Sequence, residues 1–156
     1  TREGPTTAVQ LPENARISAV VRASLADVKA GTFVGIAALP RPDGTQLALE
    51  VLIFPEAMRG AGEGHRSWDL MPESTMTNAT VADTVGKVDG QVLTLSYKEG
   101  QKTIVVPPEA PIVTFAPATR ADVKPGAKVF VSATKTGDGP LTAGSVAVGR
   151  EVDPPM

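Results

Sequence analysis

The sequence predicts an all-β fold of two tandem OB-like Greek-key barrels, each interrupted by one short helical turn. Three observations carry that expectation. Asp27-Val28-Lys29-Ala30-Gly31 returns as Asp122-Val123-Lys124-Pro125-Gly126, displaced by 95 residues without a gap. Around that motif Pro12, Ala15, Ile17, Ala23, Ala26, Val34, Ala38, Asp43, Gly44, Ala48 and Val51 meet identical residues at the same displacement, so the chain reads as two copies of one unit. Apolar residues make up 42 % but aromatics only 4 %, which leaves Val, Ile, Leu and Ala to build the core, the usual filling of narrow barrels. Fifteen glycines and fourteen prolines, spread along 156 residues, point to many turns and few long helices.

The elements follow in order. Val9 and Leu11 alternate as a strand that Pro12 ends, matched by Ile104 and Val106 before Pro107. Ile17–Val21 and Ile112–Ala116 are short apolar runs that read as strands. Ser24 and Thr119 are N-caps by type, with Asp27 and Asp122 three positions on, a capping-box pattern that supports one helical turn. Gly31 and Gly126 stop that turn and start the strands 32–39 and 127–134. Asp43-Gly44 and Asp138-Gly139 turn the chain into the closing strands 46–54 and 141–149. The second copy opens with a hairpin, 81–88 and 92–97 around Asp89-Gly90, then a turn at Glu99-Gly100. The first copy has no counterpart for that opening strand, so a first unit at 1–54, a linker at 55–78 and a second unit at 79–152 are expected. The missing strand is then supplied by residues ahead of Thr1 or from elsewhere, a second copy included, because an open sheet edge invites pairing.

A formal charge of −2 with no basic stripe argues against a nucleic-acid binder. No run of about 18 apolar residues offers a membrane span. There is no cysteine, hence neither disulfide nor thiolate chemistry.

The segment 55–78 has no match in the repeat and holds the only His, the only Trp and three of the four Met. Irregular insertions of this length are functional or disordered, and Trp68, Leu70, Met71 and Met76 argue for order. Met58, His65, Met71 and Met76 form a soft donor set that suits copper, the one cofactor the residues suggest. Trp68 and Arg66, with His65 and Asp69, form a ligand-binding set able to stack on a sugar or another planar group. His65, Ser67 and Asp69 alternate, but neighbours at such spacing do not make a nucleophilic triad, so no catalytic residue is assigned. Gly60–Gly64 lacks the strand and helix that phosphate binding needs and reads as a loop.

Gly62-Glu63-Gly64-His65-Arg66-Ser67-Trp68-Asp69-Leu70 followed by Ser74-Thr75-Met76-Thr77-Asn78-Ala79-Thr80 resembles a family of short, secreted, β-rich bacterial proteins of unknown function. The resemblance covers the whole chain and implies a periplasmic or secreted address, with a signal peptide ahead of Thr1. Some such proteins carry the label metal ABC transporter permease, which does not suit a chain without membrane spans. It brings no catalytic residues. The expected function is a non-catalytic extracytoplasmic binding or scaffold protein with a protein or small-molecule partner. The alternatives are a periplasmic copper-binding protein and a hydrolase with His65 in a cleft.

Overall fold

A computed structural model describes residues 5–87, 90–135 and 137–154. The strands are β1 (Val9–Gln10), β2 (Arg16–Arg22), β3 (Phe33–Pro40), β4 (Gln46–Ile53), β5 (Gly64–Ser67), β6 (Thr75–Lys87), β7 (Gly90–Tyr97), β8 (Gly100–Val106), β9 (Ile112–Pro117), β10 (Val129–Lys135) and β11 (Leu141–Gly149). The helical content is three 3-10 turns, at Leu25–Asp27, Glu56–Met58 and Arg120–Asp122. Among the described residues no helix is long and apolar enough to cross a membrane. The all-β barrel class is therefore observed.

The chain divides into two compact units, Val21–Phe115 and Thr1–Val20 with Ala116–Pro154. The first of these holds a closed five-stranded barrel. β4 pairs with β3, β3 with β6, β6 with β7 and β7 with β8, all antiparallel, and β8 closes on β4 in parallel through Gln46↔Ile104 and Leu47↔Val105. Inward-facing residues of the five strands, Val34, Ile36, Ala38, Ala48, Val51, Ala79, Val81, Leu93, Leu95, Ile104 and Val106, make one buried aliphatic cluster. β9 adds to β4 in parallel, Val51 facing Ile112.

The other unit carries the same pattern on the repeat partners. β10 and β11 pair antiparallel from Val129↔Val148, with a bulge between Ser132 and Ala133, as β3 and β4 do from Val34↔Ile53 with a bulge between Ala37 and Ala38. β11 takes β1 in parallel at Leu141↔Val9 and β2 at Val146↔Ile17, each displaced by the repeat length from its counterpart. Its core is Ala143, Val146 and Val148, with Leu11, Ile17, Val123, Ala127 and Val131 packed on them.

The sequence copies are thus interleaved. The closing strand of each copy pairs with the early strands of the other, so the compact units differ from the blocks 1–54, 55–78 and 79–152 expected from the repeat alone. Parallel neighbours need a long crossover between them, and a strand from the other copy satisfies that requirement where a hairpin neighbour cannot.

Local expectations are met at the repeated motif. The Asp27 carboxylate accepts from the Ser24 N–H at 2.9 Å and the Asp122 carboxylate from the Thr119 N–H at 2.8 Å. Gly31 (φ 87°) and Gly126 (φ 84°) adopt the left-handed conformation that ends each turn. Val28, 2 % exposed, joins the barrel core. Of the expected hairpin turn, Asp89 lies outside the described residues. The segment 55–78 is more regular than its composition suggests, since it contains β5 and the first four residues of β6.

Candidate functional site

β5 is short, but the cross-strand register fixes where its side chains go. It runs antiparallel to β6 through Gly64↔Asn78, His65↔Thr77, Arg66↔Met76 and Ser67↔Thr75. Side chains directly opposite share a face. His65 therefore lies on the face of Thr77, which is fully buried in line with Ala79 and Val81 of the barrel interior. Arg66 and Met76 lie on the opposite face.

The approach to β5 is held in place by polar contacts. Arg59 donates to the carbonyl of Gly31 at 2.9 Å and pairs with Glu56. Asn78, 7 % exposed, donates its amide to the Ala61 carbonyl at 2.9 Å, and Arg66 donates to the Gly62 carbonyl. Gly62 (φ 58°) and Gly64 (φ 134°) take conformations closed to most side chains, which explains the glycine-rich run in terms of chain path. Beyond β5, the buried Ser74 hydroxyl donates to the Trp68 carbonyl and accepts from the Met71 N–H, closing the loop back onto β6.

His65 sits half-buried at the barrel mouth. Its Nδ1 is 2.8 Å from the Thr77 hydroxyl and its ring stacks on Tyr97, with centroids 6.4 Å apart and planes 25° apart. Tyr97 itself packs against the core. Burial, with the Lys102 charge nearby, holds the imidazole below its ordinary pKa, so it is neutral at pH 7. Around it opens a depression of about 330 Å³ lined by Glu63, Gly64, His65, Arg66, Tyr97 and Glu99. Glu63 accepts from the Lys98 N–H, which ties this rim to the β7–β8 turn. The mouth thus gathers two carboxylates, a phenol, an imidazole and the Arg66 guanidinium, a mixed set suited to a ligand that presents both hydrogen-bond donors and acceptors, as hydroxyls do.

Of the ligand-binding set named from sequence, His65 and Arg66 both line this depression. Arg66 stands over Trp68, its guanidinium carbon 5.5 Å from the ring centroid. Asp69 is exposed past the end of β5. The soft donor set is unevenly exposed. Met58 and Met71 are 40 % and 46 % exposed, whereas Met76 is buried on the ladder face opposite His65. Among the described residues no three His, Asp or Glu side chains are grouped to hold a metal ion.

Sequence reasoning missed Thr77, Tyr97, Glu63 and Glu99 as companions of His65. Glu99 reads only as a turn residue and Tyr97 as the end of a strand, and the signal lay in register: pairing His65 with the Thr77 of the S-T-M-T-N-A-T run brings the end of β7 alongside. Comparison of the chain with protein-family models, curated proteins and solved structures gives no match to any of them.

Proposed function

We propose that the chain is a non-catalytic extracytoplasmic binding module whose site is the His65 mouth, and that its ligand is a small molecule bearing hydroxyl or amine donors. The observation that carries this reading is the half-buried imidazole, fixed by Thr77 and Tyr97, beside an open depression flanked by Glu63 and Glu99. A volume of about 330 Å³ suits a ligand of monosaccharide size, at the lower end of small-molecule sites.

Binding is preferred to hydrolysis because the hydroxyl that His65 meets belongs to Thr77, which is fully buried and out of reach of a substrate as a nucleophile. The extracytoplasmic address rests on the resemblance of the 62–80 motif and is tested by cell fractionation. The test of binding is amide chemical-shift mapping with a panel of monosaccharides and linear diamines. Shifts confined to Glu63–Arg66 and Tyr97–Gly100, and lost in Glu99→Gln and His65→Ala, support the site. Shifts elsewhere, none with any probe, or shifts indifferent to both substitutions remove it.

A second reading, copper binding, draws on the solvent-exposed thioethers of Met58 and Met71 with His65. Titration with Cu(I) tests it, and stoichiometric binding abolished by His65→Ala would establish it.

A further inference from the structure

The two nitrogens of the His65 ring stand in different surroundings. Nδ1 meets the Thr77 hydroxyl at 2.8 Å, and Thr77 is fully buried in line with the barrel interior. A threonine hydroxyl brings one hydrogen to donate and two lone pairs to accept with. Among the described residues Nδ1 is the one hydrogen-bond partner of that hydroxyl, and solvent does not reach it. An imidazole protonated at Nδ1 would donate to Thr77 and leave the hydroxyl hydrogen buried without an acceptor, a costly state. Protonated at Nε2 instead, the ring accepts the hydroxyl hydrogen at Nδ1, and both groups are satisfied. Nε2 lies across the ring from Nδ1, on the side where the half-buried residue lines the mouth. Among the described residues no hydrogen bond engages it.

We propose that Thr77 fixes His65 as an Nε2–H donor to the mouth, and that this donor selects neutral polyhydroxyl ligands over amines. The selection rests on the binding role of the mouth and narrows its ligand class. A hydroxyl both accepts and donates, so one ligand oxygen takes the Nε2–H while neighbouring hydroxyls donate to Glu63 and Glu99. Glu63 Oε1 accepts from the Lys98 N–H at 3.1 Å, which among the described residues leaves Oε2 for the ligand. Glu99 reaches the same place, its Oε2 lying 3.8 Å from where a Gly64 Cβ would stand. An ammonium group carries donors alone and meets the Nε2–H as donor against donor. The charges agree with that choice. Glu63 and Glu99 are offset by Arg66 on the rim and by Lys102 near the imidazole, so a cation meets no excess of negative charge. Thr77 is therefore a positioning residue that acts on the ligand through His65.

Long-range proton–nitrogen NMR of the free chain, recorded above pH 6.5 where the ring is neutral, reads the tautomer directly. The expected spectrum places the proton on Nε2, shows Nδ1 as an acceptor, and contains a Thr77 hydroxyl proton protected from exchange. A proton on Nδ1, or a mixture of the two tautomers, overturns the proposal whether or not any ligand binds. The ligand class is read with monosaccharides and linear diamines. Monosaccharide shifts should include the Nε2 proton, with affinity lowered about tenfold by Thr77→Val and restored by Thr77→Ser. Affinity indifferent to Thr77→Val overturns the role given to Thr77. Should that variant fail to fold, the ring spectrum of the unaltered chain and the comparison of the two probe classes decide the matter. A diamine that binds at Glu63–Arg66 more tightly than every monosaccharide overturns the proposal and leaves the binding role standing. Shifts with no probe end the binding role and the ligand class with it, while the ring spectrum of the free chain still decides the tautomer.

Discussion

At the scale of single residues, His65 and Gly35 show how the barrel constrains its own mouth. A base whose folded pKa is depressed resists protonation in the native state, while the unfolded chain takes up its proton at the ordinary value of 6.5. The stability that follows is therefore complete above about pH 6.5, declines as pH falls through that value, and stops declining beneath the folded pKa. An NMR titration of the His65 ring gives a midpoint below 6.5, and Lys102→Gln moves it part of the way back; a midpoint above 6.5 contradicts the burial described for it. Gly35 acts through space. A Cβ there would stand 2.8 Å from the Asn78 carbonyl oxygen and 3.0 Å from the Phe54 ring, whereas at Gly86 it meets nothing within 4 Å. Asn78 is held by Ala61, and Phe54 lies against Phe33 at 5.4 Å and Phe115 at 6.2 Å, so neither moves freely. Gly35→Ala lowers unfolding stability by about 1–3 kcal/mol in urea titration, and Gly86→Ala leaves it within about 0.5 kcal/mol.

At the scale of elements, the duplicated D-V-K-x-G turn does the same local work twice with unequal return. The carboxylate-to-N-cap bonds and the glycine conformations agree between copies, because they depend on residues close in sequence, while the hydroxyl cap is made by Ser24 to the Ala26 N–H and has no equivalent at Thr119. The burial of the valine depends on what the unit around it has closed. Val28 is 2 % exposed inside a complete barrel, and Val123 is only partly covered by the smaller cluster of the other unit. Val28→Ala costs about 2 kcal/mol of stability and Val123→Ala less than about 1 kcal/mol, measured as shifts in denaturation midpoint; equal losses show that the two units are equally closed. The contrast also marks the limit of what the sequence discloses. Strands, caps and turns were legible because alternation, Ser/Thr-x-x-Asp spacing and Gly placement are local signals. Residues 64–67 and 75–78 carry no strand signal because Gly, Met and Asn dilute the alternation, and their strands form by pairing with each other and with β3. The companions of His65 were hidden for the same reason, since Tyr97 and Glu99 reach it through a register that no local pattern states.

At the scale of the whole molecule, the repeat establishes two like units and leaves open which strands compose each. A strand at one end of a copy can join its own early strands or those of the other copy, and local sequence is the same in both cases. The deciding term is non-local: β4 finds Ile104 and Val105 of β8 and then Ile112 of β9, while β11 finds Val9 and then Ile17. Interleaving makes folding of each unit depend on both halves of the chain, with many contacts between residues far apart in sequence, which slows folding relative to a tandem pair. It also yields a discriminating experiment. Cutting within the exposed loop after Glu73 separates β1–β5 from β6–β11, so the amino-terminal fragment keeps β3 and β4 without β6, β7 and β8, and the other fragment keeps those three without the strands that close them. Tandem barrels would leave the carboxy-terminal fragment folded, because it contains the whole second copy. With interleaved units each fragment alone gives collapsed amide dispersion by NMR, and mixing them restores the spectrum of the intact chain in a 1:1 complex. A carboxy-terminal fragment that folds cooperatively by itself would disprove the strand exchange that closes the barrel.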